Sequence, residues 1–248
     1  MDTRIDPVAE HVYRISTFSP DGPPGGITFN QFLVIDEQPL LVHTGMRAQF
    51  PSVRDAVATV IDPRSIAWIT STHASRPDEY GALDEWLAEA PGAQVAHGHV
   101  GCFVCLFDVA ARPPRPLGDG ETFSLGRAEV QWFDTPHVPG PWEAGVLFEP
   151  SIRTLFCGDL FARGGRSAVT TSDDVVGPAI AHDQAMHGTA YTPDTGPTLR
   201  RLAALAPERL ALMHGPMYVG DGAAALERLA DYYDAALAAS LDVASAPR

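Results

Sequence analysis

The chain has 248 residues, with 17 Lys+Arg against 31 Asp+Glu for a net charge of −14, and 45% of its residues are hydrophobic. A chain this long removes roughly 70–75% of its unfolded surface from water, so it needs no covalent staple, and a single domain over residues 1–248 is expected. All its positive charge is arginine, since no lysine occurs. That excludes Schiff-base chemistry, and the scattered arginines exclude a basic stripe for nucleic acid or an anionic membrane.

Residues 1–10 (MDTRIDPVAE) are charged, and no run approaches the roughly 18 apolar residues of a membrane span, so a cytoplasmic location is expected. The stretches His11–Thr17, Ile27–Ile35 and Leu40–Val42 are rich in β-formers and separated by PDGPPGG and DEQP, which predicts an antiparallel meander. From Pro51 the apolar spacing turns helical (PSVRDAVATVI), then IAWITST reads as a buried strand ending at His73. GALDEWLAEA predicts a helix, QVAHG a strand, and GCFVCLFDVA a further helix. Cys102 and Cys105 form a lone CxxC, read as two small apolar residues on one helix face; with Cys157 they make an odd count, as in a reducing compartment.

RPPRPLGDGE reads as a surface turn, followed by the strands TFSL, AEVQWFD, GVLFEP and RTLFCGD, a second meander. From about Pro193 the pattern is helical apart from the strand RLALMHG, and AAALERLADYYDAALAAS closes the chain as an amphipathic helix. Two sheets between helical layers satisfy this order. No GxGxxG, P-loop or GxSxG motif occurs, so nucleotide and serine chemistry are unsupported.

His73, His137 and His214 each follow a predicted strand, and Asp159 follows TLFCG in the same way. Imidazoles and carboxylates gathered at one end of two sheets form a donor set for zinc or iron. His97 and His99 read as core or surface histidines, and His182 and His187 fall in a predicted helix. Phe103, Phe107, Trp132, Trp142, Phe161 and Tyr191 could line a pocket, but aromatic residues near strand ends are more often core.

The segments STHASRPDEYGAL, DTPHVPGPW, FCGDLF and MHGPMY resemble, in order and spacing, the metal motifs of the metallo-β-lactamase superfamily, nearest its oxygen-binding di-iron branch. The resemblance spans residues from about 28 to 220 and implies an α/β fold, a four-layer αββα sandwich. It also implies that His73 and His137 bind one metal, Asp78 and His214 the other, and Asp159 bridges them. Asp134, Thr135 and Tyr80 are candidates to orient the ligands.

Three departures stand out. The branch carries His-x-Glu-x-Asp, whereas here the run from His73 to Asp78 is one residue longer and lacks the Glu. Ser75 is a poor replacement and Arg76 would repel a cation. Glu79 stands where the superfamily often has a second histidine; it is either an additional ligand or an exposed glutamate at a helix start. His43 stands where the superfamily usually has Asp. The leading expectation is a hydrolase with one or two transition metal ions, Fe or Zn, whose hydroxide attacks a small electrophilic substrate such as an ester, thioester or activated ether, with Asp78 and Asp159 catalytic. One alternative is a di-iron redox or oxygen-binding protein, for which the sequence shows no flavodoxin segment, so that an external reductase is expected. The other is a degenerate, non-catalytic subunit; a homo- or hetero-oligomer is compatible with any of the three.

Overall fold

A computed structural model describes residues 2–21, 23 and 25–245, with side chains as far as residue 241. Gly22 and Pro24 of the PDGPPGG turn lie outside the described residues. The first meander begins one strand earlier than expected: β1 (Asp2–Ala9) pairs with β2 (Val12–Ser19), β2 with β3 (Ile27–Val34), and β3 with β4 (Leu40–Val42), all antiparallel. Apolar alternation missed β1 because none of its residues is buried. It is an edge strand carrying Asp2, Arg4, Asp6 and Pro7, residues that discourage a further strand from adding to the edge.

Beyond β4 the sheet turns parallel, as helical crossovers require. Helix α1 (Phe50–Val57) leads to β5 (Trp68–Thr70), and α2 (Pro77–Tyr80) and α3 (Leu83–Glu89) lead to β6 (Gln94–Gly98). A broken helix follows, α4 (His99–Gly101), a π-helical turn (Cys102–Leu106) and α5 (Phe107–Val109), and leads to β7 (Arg115–Leu117). β7 corrects the reading of RPPRPLGDGE as a turn throughout. Its proline argued against a strand, but β7 lies at the sheet edge, where a missing N–H costs little.

The second meander is as expected: β8 (Thr122–Ser124), β9 (Glu129–Asp134), β10 (Gly145–Glu149) and β11 (Thr154–Gly158), antiparallel in sequence. After β12 (Thr170–Thr171), α6 (Val176–Met186) and α7 (Thr195–Ala203) come β13 (Arg209–Leu212), parallel to β11, then β14 (Met217–Val219) and α8 (Gly222–Ser245). β12 and β14 are too short to show a period, which is why the sequence did not reveal them. The sheets run β1-β2-β3-β4-β5-β6-β7 and β12-β14-β13-β11-β10-β9-β8.

Three buried clusters make four layers of these elements. Phe32, Leu40 and Val42 of the first sheet meet Trp132, Leu147 and Phe156 of the second. Trp86, Leu87 and Val53 seal α1 and α3 onto the outer face of the first sheet. Leu199, Leu202, Leu226 and Leu229 seal α7 and α8 onto the second. This is the expected αββα sandwich. Cys102 is buried in the α1–α3 layer with Cys105 packed against it, and all three cysteines are free. Burial pushes the Cys102 thiol up to about 12, so it is an unreactive apolar residue. Among the described residues, no helix is long and apolar enough to cross a membrane.

Candidate metal centre

The segments that follow β4, β5, β11 and β13 bring His43, His73, Asp159 and His214 to one rim. At Gly158 (φ 52) a Cβ would lie 2.1 Å from the Thr72 hydroxyl. Only glycine lets the Asp159 turn pass this close to the His73 turn. The His214 turn is held from the opposite sheet, where Asn30 Nδ2 donates to the carbonyls of Leu212 and Gly215 at 2.7 Å each. The buried Arg14 donates to Gly215 O at 3.1 Å. Neither anchor was foreseen, since a polar residue within an apolar strand reads as noise until its partner is known.

His214 Nε2 lies 3.3 Å from Asp78 Oδ2 and 3.3 Å from Asp159 Oδ1, while Nδ1 donates to Thr28 O at 3.0 Å. The Nδ1 bond fixes the tautomer that leaves Nε2 facing the carboxylates. Donors about 2 Å from a shared transition-metal ion lie about 3 Å from one another, close to this spacing. Asp159 Oδ1 is buried with no hydrogen-bond partner, an unmet demand for a positive centre. Burial alone would push the His214 imidazole down, but Asp159 and Asp78 outweigh it and raise it to about 10. The three residues open onto a cavity of about 310 Å³ lined also by Ile27, Phe29, Phe161, Met186 and His182. An imidazole flanked by two carboxylates is a donor set of the kind a transition-metal ion takes.

The other half of the rim is different. His73 Nδ1 is hydrogen-bonded to Glu79 Oε1, and Nε2 donates to Pro139 O at 2.8 Å. With both ring nitrogens donating, the ring is an imidazolium; burial opposes this, but the Glu79 charge overcomes it and raises His73 to about 9. Glu79 is fully buried rather than exposed at a helix start, which corrects that sequence reading. Its Oε2 accepts from Ser71 Oγ, from Thr72 N at 2.9 Å, from Thr72 Oγ1 at 2.9 Å and from His73 N at 2.7 Å. His43 Nδ1 lies 3.2 Å away on the same oxygen. His73, Glu79 and Asp159 do form a cluster of possible ligand atoms, yet the Glu79 carboxylate is committed to holding the His73 turn.

His137, expected beside His73, is exposed in a left-handed conformation (φ 65). It faces a separate cavity with Thr192, Asp194 and Arg201, so the structure brings together Asp78, Asp159, His73 and His214 but leaves His137 out. Strand-end placement alone could not foresee this, because a residue three past the strand end points wherever its turn aims it. Ser75 bonds to Glu143 Oε1 at 2.6 Å. The orienting groups are Glu79 and Thr28 O; Asp134 instead accepts from Trp132 Nε1 at 2.7 Å, and the buried Tyr80 and Thr135 hydroxyls have no partner. Phe103, Phe107 and Trp142 are exposed, neither core nor pocket, whereas Phe161 and Trp132 are buried.

A family model described as ODP family beta lactamase matches residues 27–215. Rubredoxin-oxygen oxidoreductase of Megalodesulfovibrio gigas is 26% identical over 207 residues, covering 79% of this chain and 50% of its own length. Putative diflavin flavoprotein A 1 of Nostoc sp. is 25% identical over 206 residues, 79% of this chain and 34% of that protein. Among solved structures, rubredoxin oxygen:oxidoreductase from Desulfovibrio gigas superposes with a TM-score of 0.81 at 18% identity, over 93% of this chain and 62% of that one. The flavodiiron protein from Giardia intestinalis gives 0.77 at 13% identity, over 94% and 60%. The chain thus spans half the length or less of these two curated relatives.

These findings correct the expectation of a hydrolase. The relatives are named as an oxygen oxidoreductase and a flavoprotein, and none of these names supports zinc. The family match over most of the sequence and the superposable sandwich lead to one assignment: this chain belongs to the ODP family of beta-lactamase-type domains, the metallo-β-lactamase sandwich related to the flavodiiron proteins.

Proposed function

We propose that the chain is an iron-binding oxidoreductase domain that reduces dioxygen or a similarly small oxidant. The observation that carries this reading is the convergence of Asp78, Asp159 and His214 on the 310 Å³ cavity, with Asp159 Oδ1 buried and without a hydrogen bond. Two carboxylates and an imidazole would hold the iron, which when bound supplies one-electron chemistry. Ile27, Phe29, Phe161 and Met186 give the cavity an apolar portion of wall, suited to a small, weakly polar molecule. His182 also lines the cavity; burial lowers its imidazole below the ordinary value, so at neutral pH it is an uncharged hydrogen-bonding group facing the bound molecule.

The test is oxygen uptake by protein reconstituted anaerobically with Fe(II) and supplied with a reduced low-potential dye. Uptake that depends on iron and falls at least tenfold in His214→Ala is the expected result. Equal uptake by iron-free protein or by His214→Ala overturns the reading.

A further inference from the structure

We infer that Arg76 takes the place of the second cation and makes the centre mononuclear; this rests on the reading above for the identity of the remaining ion. The Asp159 carboxylate divides its two oxygens. Oδ1 faces His214 and has no hydrogen bond, whereas Oδ2 lies 3.4 Å from Arg76 Nη1. A bridging carboxylate would offer Oδ2 to a metal, and here it offers it to a guanidinium.

The guanidinium sits on the His73 side. A Cβ built on Gly140 would meet Arg76 Nη2 at 2.8 Å and His73 Nε2 at 3.5 Å, so the guanidinium and the imidazole converge on this one residue. Gly140 is in the left-handed region (φ 82), and its bare backbone makes room for the arginine.

An exposed ion pair alone would be too weak to keep a divalent ion out, because a half-exposed arginine swings aside at little cost. The guanidinium decides the outcome because the other groups on that side are already engaged, so that Asp159 Oδ2 is the oxygen an ion there would have to claim, and Arg76 holds it. His73 Nε2 donates to Pro139 O, His137 is exposed in another cavity, and Ser75 is bonded to Glu143. An ion placed there would find one carboxylate oxygen, a ring nitrogen already bonded to the Pro139 carbonyl and an arginine whose charge would repel it. The extra residue between His73 and Asp78 reads accordingly: it brings an arginine to the rim where the resemblance would have a carboxylate.

Metal stoichiometry and spin state test this without reference to turnover. Wild-type protein titrated anaerobically with Fe(II), then desalted, is expected to retain one iron per chain. Titrated with Mn(II), it should give the uncoupled six-line spectrum of an isolated ion. Arg76→Glu, which replaces the cation with a carboxylate, is expected to retain two ions per chain and to show a spin-coupled Mn(II) pair. Two coupled ions in wild type overturn the inference while leaving the iron reading intact. One ion in both proteins shows that Arg76 is not what excludes the second and also overturns it. No ion in either protein overturns this inference and the iron-binding reading together.

Discussion

The two halves of the rim are built from the same parts and end in opposite states. On the α6 side, His214 faces Asp78 and Asp159 across 3.3 Å, with a carboxylate oxygen that has no hydrogen bond and an open cavity. On the α2 side, His73 has both nitrogens engaged, Glu79 accepts from four donors on one oxygen, and Arg76 covers Asp159 Oδ2. A ligand set is therefore defined by what its lone pairs are doing rather than by residue type. Histidine and carboxylate occur in both halves, but His214 turns Nε2 towards two carboxylates at the cavity, whereas His73 has its Nε2 on a backbone carbonyl.

The largest effect expected from breaking this contrast is at Glu79. Its carboxylate is the counter-charge for two buried imidazoles, and His73 and His43 together hold it well below the usual carboxylate range against the opposing effect of burial. Glu79→Gln keeps the shape and removes the charge, so it is expected to destabilise by about 3–5 kcal/mol, read as a lower denaturant midpoint. His43 and Glu79 also read as a transposition, because the resemblance has Asp at the first position and His at the second, and the side chains are 3.2 Å apart. The double variant His43→Asp with Glu79→His should therefore be markedly more stable than the sum of its single changes. Strict additivity would show that the two departures are unrelated.

This pair also marks how far the sequence was legible. Both meanders, the helical crossovers and the sandwich could be read, because apolar periodicity reports which face of an element is buried. Asp159 and His214 could be placed because strand ends share a rim, and Asp78 because the resemblance implies it. The state of the other half could not, because it depends on contacts between residues distant in sequence. Glu79 and His43 look like two separate losses until folding joins them, and the exposure of His137 is set by the conformation of one residue. Arg76 was visible as a cation in an unsuitable place, but its target, Asp159 Oδ2, lies 83 positions along the chain. Thr28, whose carbonyl fixes His214, offered no signal because a backbone carbonyl occurs at every position.

A second experiment probes the wall behind the closed half. His97 is fully buried, packed against Trp132 at 4.7 Å and Tyr80 at 5.9 Å between ring centroids. Its Nε2 has no partner. Burial lowers its imidazole to about 4, against about 6.5 in the unfolded chain. As pH falls below about 6.5 the unfolded state takes up a proton that the folded state refuses until about 4. Stability is thus full above 6.5 and is lost across that window, by on the order of 3 kcal/mol. His97→Leu should flatten the acid limb of a stability–pH curve between pH 6.5 and 4, leaving the slope due to carboxylates. An unchanged slope would mean that water or a nearby group already meets the charge on His97.

The smallest expected effect separates the two halves most directly. The resemblance implies that His137 is a ligand equal in rank to His73, whereas the structure places it exposed at φ 65 beside Thr192 and Arg201. His137→Gly is the suitable change, since glycine adopts the left-handed conformation without strain and supplies no donor atom. Retained iron should equal that of the unaltered protein, and stability should change by less than about 0.5 kcal/mol, as for other exposed positions. His214→Ala under the same conditions should lose its iron, because the surviving Asp78 and Asp159 supply no imidazole. Should His137→Gly lose iron as His214→Ala does, the turn carrying His137 must swing inward when metal binds. The contrast between an open and a closed half would then fail.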